Sequence, residues 1–276
     1  MSLDIGQIQD KLYEILQDID EICKNNGIEY FLTAGSALGA VRHNDFIPWD
    51  DDLDISMTRK NMEVFQKIIS TRYREKYFYQ SATTDPGYRI PFDKLRMNNT
   101  TFIEKGTEKW QCHQGLFVDI FPLDFTSQSR LKNRNVVFKQ MIYEYLLRYG
   151  IPDKKIKRFA INLIAGSGTL EKKMFKLLEG MTCYNRRDAS YVNLGFVQIE
   201  KKRYPLEKEI IFPLKRIKFR DIYVPVPNDV HKYLTILYGD YTILPPEEER
   251  IGTHGAIVDL NKDYGEYTNG LFQKNN

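Results

Sequence analysis

The stretch that decides the fold is Ala34-Gly35-Ser36-Ala37-Leu38-Gly39-Ala40-Val41-Arg42, followed after a short loop by Phe46-Ile47-Pro48-Trp49-Asp50-Asp51-Asp52-Leu53-Asp54-Ile55-Ser56-Met57. It joins a glycine turn to a strand that carries carboxylates. Successive side chains of a strand point to opposite faces, so Asp52 and Asp54 are predicted to share one face. Two carboxylates this close repel each other unless a cation lies between them. The stretch therefore predicts a site for Mg²⁺ or Mn²⁺ and for a phosphate group, because these cations prefer oxygen ligands.

The acidic run has two other interpretations. A charge run is often a solvated turn, but the alternation of Leu53, Ile55 and Met57 with polar residues favours a half-buried strand. An EF-hand calcium loop counted from Asp50 would need glycine where the chain has Ile55. It would also need glutamate at the position of an asparagine. The calcium loop is excluded, and the solvated turn stays open as the alternative.

Length and composition are those of a globular protein with a sizeable core. The chain has 276 residues, of which 42% are hydrophobic and 28% charged, and its formal net charge is +3. A charge this small argues against a nucleic-acid partner. Basic clusters at 154–158 and 201–203 are interpreted as solvated faces, with anionic headgroups as the alternative.

Three features indicate a cytoplasmic protein. Cys23, Cys112 and Cys183 are odd in number and far apart, which indicates neither a disulfide framework nor a zinc site. The N-terminus lacks the basic and apolar regions of a signal peptide. No apolar stretch reaches the roughly 18 residues that cross a bilayer. We therefore expect a cytoplasmic location, with any membrane contact peripheral and at the inner face.

The remaining patterns predict an α+β fold in three parts. A catalytic core is expected over 1–126, a mainly helical insertion over 127–204, and a C-terminal segment over 205–276 that packs back on the core. The insertion has helical periodicity throughout, whereas the C-terminal segment begins with a β-hairpin and continues into a helix that Asn228 could cap. The predicted core elements are a helix from Ile5 to Ile22 ended by Gly27, strands at 28–33, 77–81, 88–96 and 115–121, and a helix capped by Thr58.

A further carboxylate lies inside the apolar run Leu116-Phe117-Val118-Asp119-Ile120-Phe121. A buried, unpaired carboxylate is strongly destabilising, so Asp119 is predicted to have a partner. A metal ion shared with Asp52 and Asp54 is the simplest choice, and a salt bridge to a core Arg or Lys is the alternative. Asp124, which follows Pro122, is interpreted as a cap or turn residue outside the site.

Positive charge for a phosphate is expected from Arg42, Lys94 and Arg96. Lys94 and Arg96 fall on one face of their predicted strand and could reach phosphate groups of a ligand, with surface ion pairs as the alternative. Arg250 and His254 are four residues apart, a spacing that would bring them together on a helix. The prolines and the glycine around them favour a loop instead.

These motifs resemble the LicD family, whose relatives include the fukutins and which has the fold of the nucleotidyltransferase superfamily. The resemblance covers Ile28 to about Asp124 and resumes near Phe212. Its motifs, in chain order, are Gly35 to His43, Phe46 to Asp54, Val118 to Asp124, Tyr238-Gly239-Asp240-Tyr241, Pro245-Pro246 and Arg250 to His254. The resemblance implies a nucleotidyltransferase-like mixed sheet with flanking helices.

The resemblance also implies transfer of a phospho-substituent, typically phosphocholine from CDP-choline, to a hydroxyl of a cell-surface glycan or its lipid-linked precursor. CMP is released. Asp52, Asp54 and Asp119 would hold Mg²⁺ or Mn²⁺, while the amides of Gly35 and Ser36 receive phosphate oxygens. One alternative is transfer of ribitol or glycerol phosphate from a CDP-alditol. Another is a metal-dependent glycosyltransferase that uses the Asp-x-Asp motif, although only one helix and one strand precede that motif.

Two further expectations follow from the resemblance. Arg250 and His254 are expected to contact phosphate. Choline is a quaternary ammonium and binds the faces of aromatic rings, so an aromatic cage is expected as well. Its candidates are Trp49, Tyr88, Phe92 and Trp110.

Overall fold

The structure is a computed structural model that describes residues 4–126, 129–181, 189–193, 205–252 and 254–272. The predicted α+β class is confirmed, because helices flank a mixed sheet. The strands of this part are β1 (Tyr30–Leu32), β2 (Asp54–Thr58), β3 (Tyr77–Gln80), β4 (Asp93–Met97), β5 (Thr101–Glu104), β6 (Phe117–Thr126), β7 (Tyr191–Asn193), β8 (Leu206–Glu207), β9 (Lys215–Phe219), β10 (Ile222–Val226) and β11 (Gly255–Asp259). Its α-helices are α1 (Ile5–Asn26), α2 (Ala34–His43), α3 (Arg59–Arg72), α4 (Arg130–Tyr149), α5 (Lys155–Ala165), α6 (Leu170–Met181), α7 (Lys208–Ile211), α8 (Val230–Tyr238) and α9 (Gly265–Phe272).

The central sheet places three charged residues side by side. Its main path runs β1-β2-β6-β4-β3, with β7 on the far end of β6 and β8 beside β7. β6 is parallel to β2 and antiparallel to β4. The register sets Asp54 opposite Asp119, and Asp119 opposite Lys94. Residues directly opposite in neighbouring strands project from the same face, so these three side chains form one row across the sheet.

The first helix covers the sheet as the periodicity predicts. Asp4 caps it by accepting a hydrogen bond from the Gly6 amide, and Gly27 ends it in the left-handed conformation at φ 64°. Its apolar face is fully buried, and burying one leucine or isoleucine stabilises the fold by roughly 1.5–3 kcal/mol. The residues of this face with no exposed surface are Leu12, Ile15, Leu16 and Ile19.

The carboxylate strand differs from the prediction in two ways. β2 begins only at Asp54, so Asp52 lies in the preceding loop rather than on the strand. The first four residues of β2 are all buried, instead of alternating between core and solvent. The reason is its position, because β2 lies between β1 and β6 and contacts α2 and α3. The predicted cap of α3 is confirmed by the hydroxyl of Thr58, which accepts from the Asn61 amide.

The described part of the insertion is mainly helical, and the short strand β7 lies near its end. Helices α4, α5 and α6 enclose a second group of buried apolar residues, separate from the main core. Residues of this group are Val136, Tyr143, Leu146, Ile161, Ala165, Leu177 and Met181. Cys183 and the basic cluster at 201–203 lie outside the described residues. No helix within the described ranges has the length and apolar character needed to span a bilayer. The three-part division of the chain stays a prediction.

The C-terminal segment returns to the core. The predicted hairpin is confirmed as β9 and β10, with Arg220 at φ 51° in its turn. The following helix is capped by Asp229 rather than Asn228, since the Asp229 side chain accepts from the Lys232 amide. β11 pairs with β5 in a separate two-stranded sheet that the sequence analysis did not predict.

Candidate active site

The row of charged residues across the sheet is a buried ion-pair network. Lys94 is 1% exposed, and its Nζ lies 2.7 Å from Asp119 Oδ1 and 3.1 Å from Glu104 Oε1. A core lysine is therefore a partner of Asp119, as the alternative interpretation required. Burial raises the pKa of Asp119 to about 6, although Lys94 acts to lower it. Burial, together with the charges of Asp52 and Asp119, also raises the pKa of Asp54.

Arg96 is a structural partner in this network. It is 2% exposed, and its guanidinium donates to Gln80 Oε1 at 2.7 Å, Gly115 O at 2.8 Å and Glu104 Oε2 at 3.2 Å. The expected contact of Arg96 with donor phosphates stays a prediction, and in this structure its guanidinium binds these three protein groups. The alternative of a surface ion pair is wrong, since both cations of this strand are buried. Burial opposes ionisation of Glu104, but Lys94 and Arg96 outweigh it and lower its pKa.

A second acidic group lies in the loop before β2. Ligand atoms of Asp50, Asp52 and His254 all lie within 4.8 Å of one another, which makes them the group of possible metal ligands in the described part of the chain. Burial and the neighbouring Asp52 raise the pKa of Asp50 to about 8. Asp54 and Asp119 fall outside this geometric group, but their charges still act on it. The predicted ligand set of Asp52, Asp54 and Asp119 stays a prediction.

Asp51 holds the C-terminal loop against this group. Its carboxylate is 2% exposed and accepts from the His254 amide at 2.9 Å and contacts His254 Nδ1 at 2.7 Å. This hydrogen bond is the main cause that raises the pKa of His254 to about 9. A histidine held through Nδ1 by a carboxylate has its ring orientation set, as metal-binding histidines commonly do.

The loop comes close enough to require glycine. A Cβ built on Gly252 would lie 2.0 Å from the Trp49 carbonyl oxygen and 3.3 Å from the Asp50 Cα. No side chain fits at that distance. Residues 250–252 and His254 thus lie in a loop, as the sequence favoured, and the backbone at Gly252 packs directly on the Pro-Trp-Asp motif.

Gly35 and Ser36 lie in the first turn of α2. A Cβ on Gly35 would approach Asp50 Oδ2 at 3.1 Å, so this turn borders the acidic group. The Ser36 hydroxyl is buried and accepts from the Asp54 amide at 2.7 Å. Ser36 therefore ties α2 to the start of β2. The predicted contact of these two amides with phosphate stays a prediction.

Two arginines lie on the open side of the site. Arg42 donates to the Tyr241 carbonyl at 3.0 Å, and burial together with the charge of Arg250 lowers its pKa. Arg250 donates to the Pro245 carbonyl at 2.9 Å, and its guanidinium stands 5.4 Å from the Trp49 ring centroid. The charges of these two guanidinium groups act on each other, and one group lies over the ring of the Pro-Trp-Asp motif, an arrangement that can receive a polyanion.

The aromatic candidates fall in two places. Trp49 lies under Arg250, whereas Tyr88 donates its hydroxyl to the Phe92 carbonyl at 2.7 Å. Phe92 packs on Phe121 with ring centroids 4.4 Å apart. Trp110 lies in another turn, with its amide bonded to the Thr107 carbonyl. Trp49 is thus the candidate for the expected aromatic cage that contacts one of the two arginines, Arg250.

The sequence analysis missed Asp50, Asp51 and Glu104. The first two were part of the quoted motif but received no role, because no local signal in an acidic run distinguishes a metal ligand from a residue that supports one. Glu104 could have been found, because two basic residues on one strand face need an anionic partner if that face is buried. Asp124, interpreted as a cap or turn residue, is instead a buried member of β6 that forms a two-point ion pair with Arg59 at 2.8 and 2.9 Å.

Comparison with known proteins agrees with this geometry. Residues 27–159 match the domain described as LicD/FKTN/FKRP, nucleotidyltransferase domain, and this match includes both acidic strands. Lipopolysaccharide cholinephosphotransferase LicD of Haemophilus influenzae is 27% identical over 252 residues, which make up 87% of this chain and 92% of that protein.

The chain contains a LicD-family domain. It is accordingly a transferase. Human ribitol 5-phosphate transferase FKRP is 55% identical over a short stretch of 31 residues, 11% of this chain and 6% of that protein. An uncharacterised protein of Rickettsia typhi is 43% identical over 126 residues, 44% of this chain and 36% of that protein.

The residues of this LicD-family site fit a hard divalent cation. Besides burial, the charge of Asp52 acts to raise the pKa values of Asp50, Asp54 and Asp119, so four carboxylates lie near one another. Oxygen-rich donor sets of this kind suit Mg²⁺ and Mn²⁺.

Proposed function

We propose that the protein transfers phosphocholine from CDP-choline to a hydroxyl of a cell-surface glycan or its lipid-linked precursor, with Mg²⁺ as the cation and Mn²⁺ as a substitute. The observation that carries the proposal is the convergence of Asp50, Asp52, Asp54 and Asp119 beside two arginines. Carboxylates that gather a cation next to guanidinium groups suit a diphosphate donor. The similarity to a cholinephosphotransferase supports the choice of donor.

The chemistry is displacement at phosphorus. The acceptor oxygen forms a bond to the phosphorus of the transferred group, and the bond from that phosphorus to the bridging oxygen of the diphosphate breaks. CMP leaves with the electron pair, and the hydroxyl proton passes to a carboxylate of the cluster. Catalysis of such a step is mainly positioning and neutralisation of charge.

The protein residues divide this work. Asp52, with Asp50 and His254 or with Asp54 and Asp119, would hold the cation, which neutralises charge on the diphosphate when bound. Arg42 and Arg250 bind phosphate oxygens of the donor, and the first turn of α2 supplies amides to the same group. Lys94 keeps Asp119 in place through their 2.7 Å ion pair.

The acceptor is proposed to bind in a cavity between the core and the helical insertion. The cavity has a volume of about 790 Å³, a size typical of sites for small molecules. Burial and the nearby carboxylate of Asp119 raise the pKa of Tyr88 in its wall, so this wall lies close to the acidic row. Aromatic and basic side chains suit a charged saccharide. Those lining the cavity are Tyr88, Arg89, Tyr143, Arg148, Tyr149 and Phe175.

Two other functions are tested by the same experiment. Transfer of ribitol or glycerol phosphate from a CDP-alditol is favoured by the short match to FKRP. A glycosyltransferase would use the same acidic motif with a UDP-sugar. The proposed location is the cytoplasmic side of a membrane, where a lipid-linked glycan is available as acceptor.

The test measures nucleotide release. Purified protein with Mg²⁺ is incubated in turn with CDP-choline, CDP-ribitol, CDP-glycerol and a UDP-sugar. We expect CMP release from CDP-choline that requires Mg²⁺ and is abolished by Asp52→Ala and by Asp119→Ala, with Asp153→Ala as a matched control at an exposed aspartate. If CMP were released only from a CDP-alditol, the donor would be that CDP-alditol and not CDP-choline. Release of UDP from the UDP-sugar would overturn the phosphotransferase proposal. Full activity of both alanine variants, shown to be folded by circular dichroism, would overturn the site.

A further inference from the structure

Helix α5 carries an apolar stripe on its outer surface. Ile156, Phe159 and Leu163 recur every three to four residues, so they share one side of the helix. They are 85%, 64% and 72% exposed. The opposite side is the one that packs, because Ile161 and Ala165 are buried in the second apolar group. The helix thus has two apolar faces, of which one packs into the second apolar group formed by the described residues.

Basic side chains border the exposed stripe. Lys155 and Lys157 come one residue before and after Ile156, so they project to either side of it, about 100° away on a helix of 3.6 residues per turn. Lys154 precedes them, and no acidic residue occurs between Lys154 and Ala165. In the described part of the chain these three lysines are exposed and have no ion-pair partner.

The other end of α5 adds more positive charge. The side chain of Lys176 comes within 3.2 Å of a Cβ built on Gly166, and that of Lys172 within 3.4 Å of one built on Gly168. Both lysines therefore lie at the turn that follows α5. Acidic charge at the two ends of α5 comes from Asp153, which stands 3.8 Å from Arg158 and neutralises it in part, and from Glu171 beside Lys172 in the first turn of α6.

We propose that α5 is a membrane-docking helix that binds an anionic lipid surface. An apolar stripe about one helix side wide, with lysines on both borders, matches a helix that lies in the headgroup region. The apolar side chains enter the boundary of the acyl chains, while the lysines extend to the phosphates. A second copy of this chain is a poorer occupant, because two α5 helices pairing about a two-fold axis would set lysines against lysines. A negatively charged lipid surface provides an apolar layer for the stripe and phosphate groups for the lysines on its borders.

The test uses flotation with vesicles. The full-length protein is mixed with vesicles of phosphatidylcholine alone or of phosphatidylcholine with phosphatidylglycerol, with or without added salt. We expect the protein to float only with the anionic vesicles, and less at high salt. Phe159→Asp should weaken binding about tenfold or more, whereas Ile243→Asp, at another exposed apolar residue of 68% exposure, should leave it unchanged.

Charge variants separate the contribution of the lysines. Lys155→Glu with Lys157→Glu should remove the preference for anionic vesicles, while Lys67→Glu with Lys215→Glu changes the net charge equally at other exposed sites and should retain it. Phe159→Trp provides a direct reporter, because its fluorescence should shift to shorter wavelength on anionic vesicles. Equal flotation of wild type and Phe159→Asp would overturn the proposal. The proposal would also be overturned if the wild type did not float and instead formed a dimer in analytical ultracentrifugation that Phe159→Asp dissociates. These measurements do not depend on whether the proposed transfer reaction is correct.

Discussion

Replacing Lys94 by methionine tests whether the buried ion-pair network supports the acidic row. Lys94 is 1% exposed, and methionine fills a similar volume without the charge. Its Nζ contacts Asp119 at 2.7 Å and Glu104 at 3.1 Å. Glu104 keeps Arg96 at 3.2 Å in the variant, so Asp119 is the group that loses its protein cation.

The structure sets the size of the effect. Removing one partner of a buried ion pair costs roughly 3–5 kcal/mol, because the remaining charge is left buried. We expect about 3 kcal/mol for Lys94→Met, the lower end of that range, since Glu104 stays paired. In a chain of this size that loss lowers the Tm by about 6 °C.

The loss depends on pH through Asp119. Burial raises the pKa of Asp119 to about 6 in the folded protein, above the ~3.9 of an exposed aspartate. Loss of Lys94 raises it further. A folded-state pKa above the unfolded one means that the ionised carboxylate destabilises the fold, so this penalty is full above the folded pKa. The difference in this penalty between Lys94→Met and wild type disappears as the pH falls below about 6, where Asp119 takes up a proton in both folded proteins.

The assay is urea unfolding in metal-free buffer at about pH 8 and at about pH 5, on either side of the pKa of Asp119. Lys67→Met, at an exposed lysine of α3, is the control and should stay within about 0.5 kcal/mol of wild type. The reasoning would be refuted if Lys94→Met lost less than about 1 kcal/mol at the higher pH. An equal loss at both pH values would also refute it.

Three further variants test the remaining contacts. Gly252→Ala places a Cβ 2.0 Å from a backbone oxygen of the acidic motif, so the loop must move, and Mn²⁺ affinity measured by titration calorimetry should fall by about tenfold. Asp51→Asn removes the hydrogen-bonding carboxylate from His254, whose pKa measured by NMR should fall from about 9 toward ~6.5. Arg59→Met leaves Asp124 buried without its cation, which should cost about 3 kcal/mol in urea unfolding.

Exposed residues supply the controls for these variants. Asp153→Asn should leave the pKa of His254 unchanged, and Arg74→Met, at a side chain 74% exposed, should leave the free energy of unfolding unchanged. Wild-type Mn²⁺ affinity in Gly252→Ala would show that the loop supplies no ligand. A His254 pKa of about 9 in Asp51→Asn would contradict the assigned hydrogen bond, and wild-type stability of Arg59→Met would contradict the buried pair.

Local signals in the sequence were sufficient for the helices and the hairpin. The apolar spacing of α1 and its terminal Gly27 depend only on nearby residues, and so does the Thr58 cap of α3. The hairpin of β9 and β10 follows from alternation on both sides of Arg220 and Asp221. Each of these elements is determined by contacts within about one turn or one strand.

Long-range pairing is what the sequence left open. β5 has only four residues, Thr101–Glu104, and its partner β11 begins at Gly255, so neither strand shows enough alternation to reveal the other. Nothing local states that β6 lies between β2 and β4. That order decides the site, because it is what sets Asp119 between Asp54 and Lys94.

The sequence predicted the kind of site, a cluster of carboxylates, but it did not predict the residues that pair with the site's charged groups. The Asp-x-Asp motif and Asp119 were found because carboxylates beside apolar residues are unusual. Glu104 and Asp51 escaped because a single acidic residue at a strand end, or inside an acidic run, has many ordinary explanations. Their importance depends on burial at 19% and 2% exposure, which follows only from the assembled fold.

The contact of Asp51 with His254 links residues that are 203 positions apart. During synthesis the acidic motif leaves the ribosome early, but its histidine and the close-packed Gly252 follow only after both the core and the helical insertion have been made. A nascent chain that has released the core but not this loop lacks one of the three possible ligands. The group of Asp50, Asp52 and His254 is therefore completed only after the whole stretch of chain between the motif and the histidine, the helical insertion included, has been made.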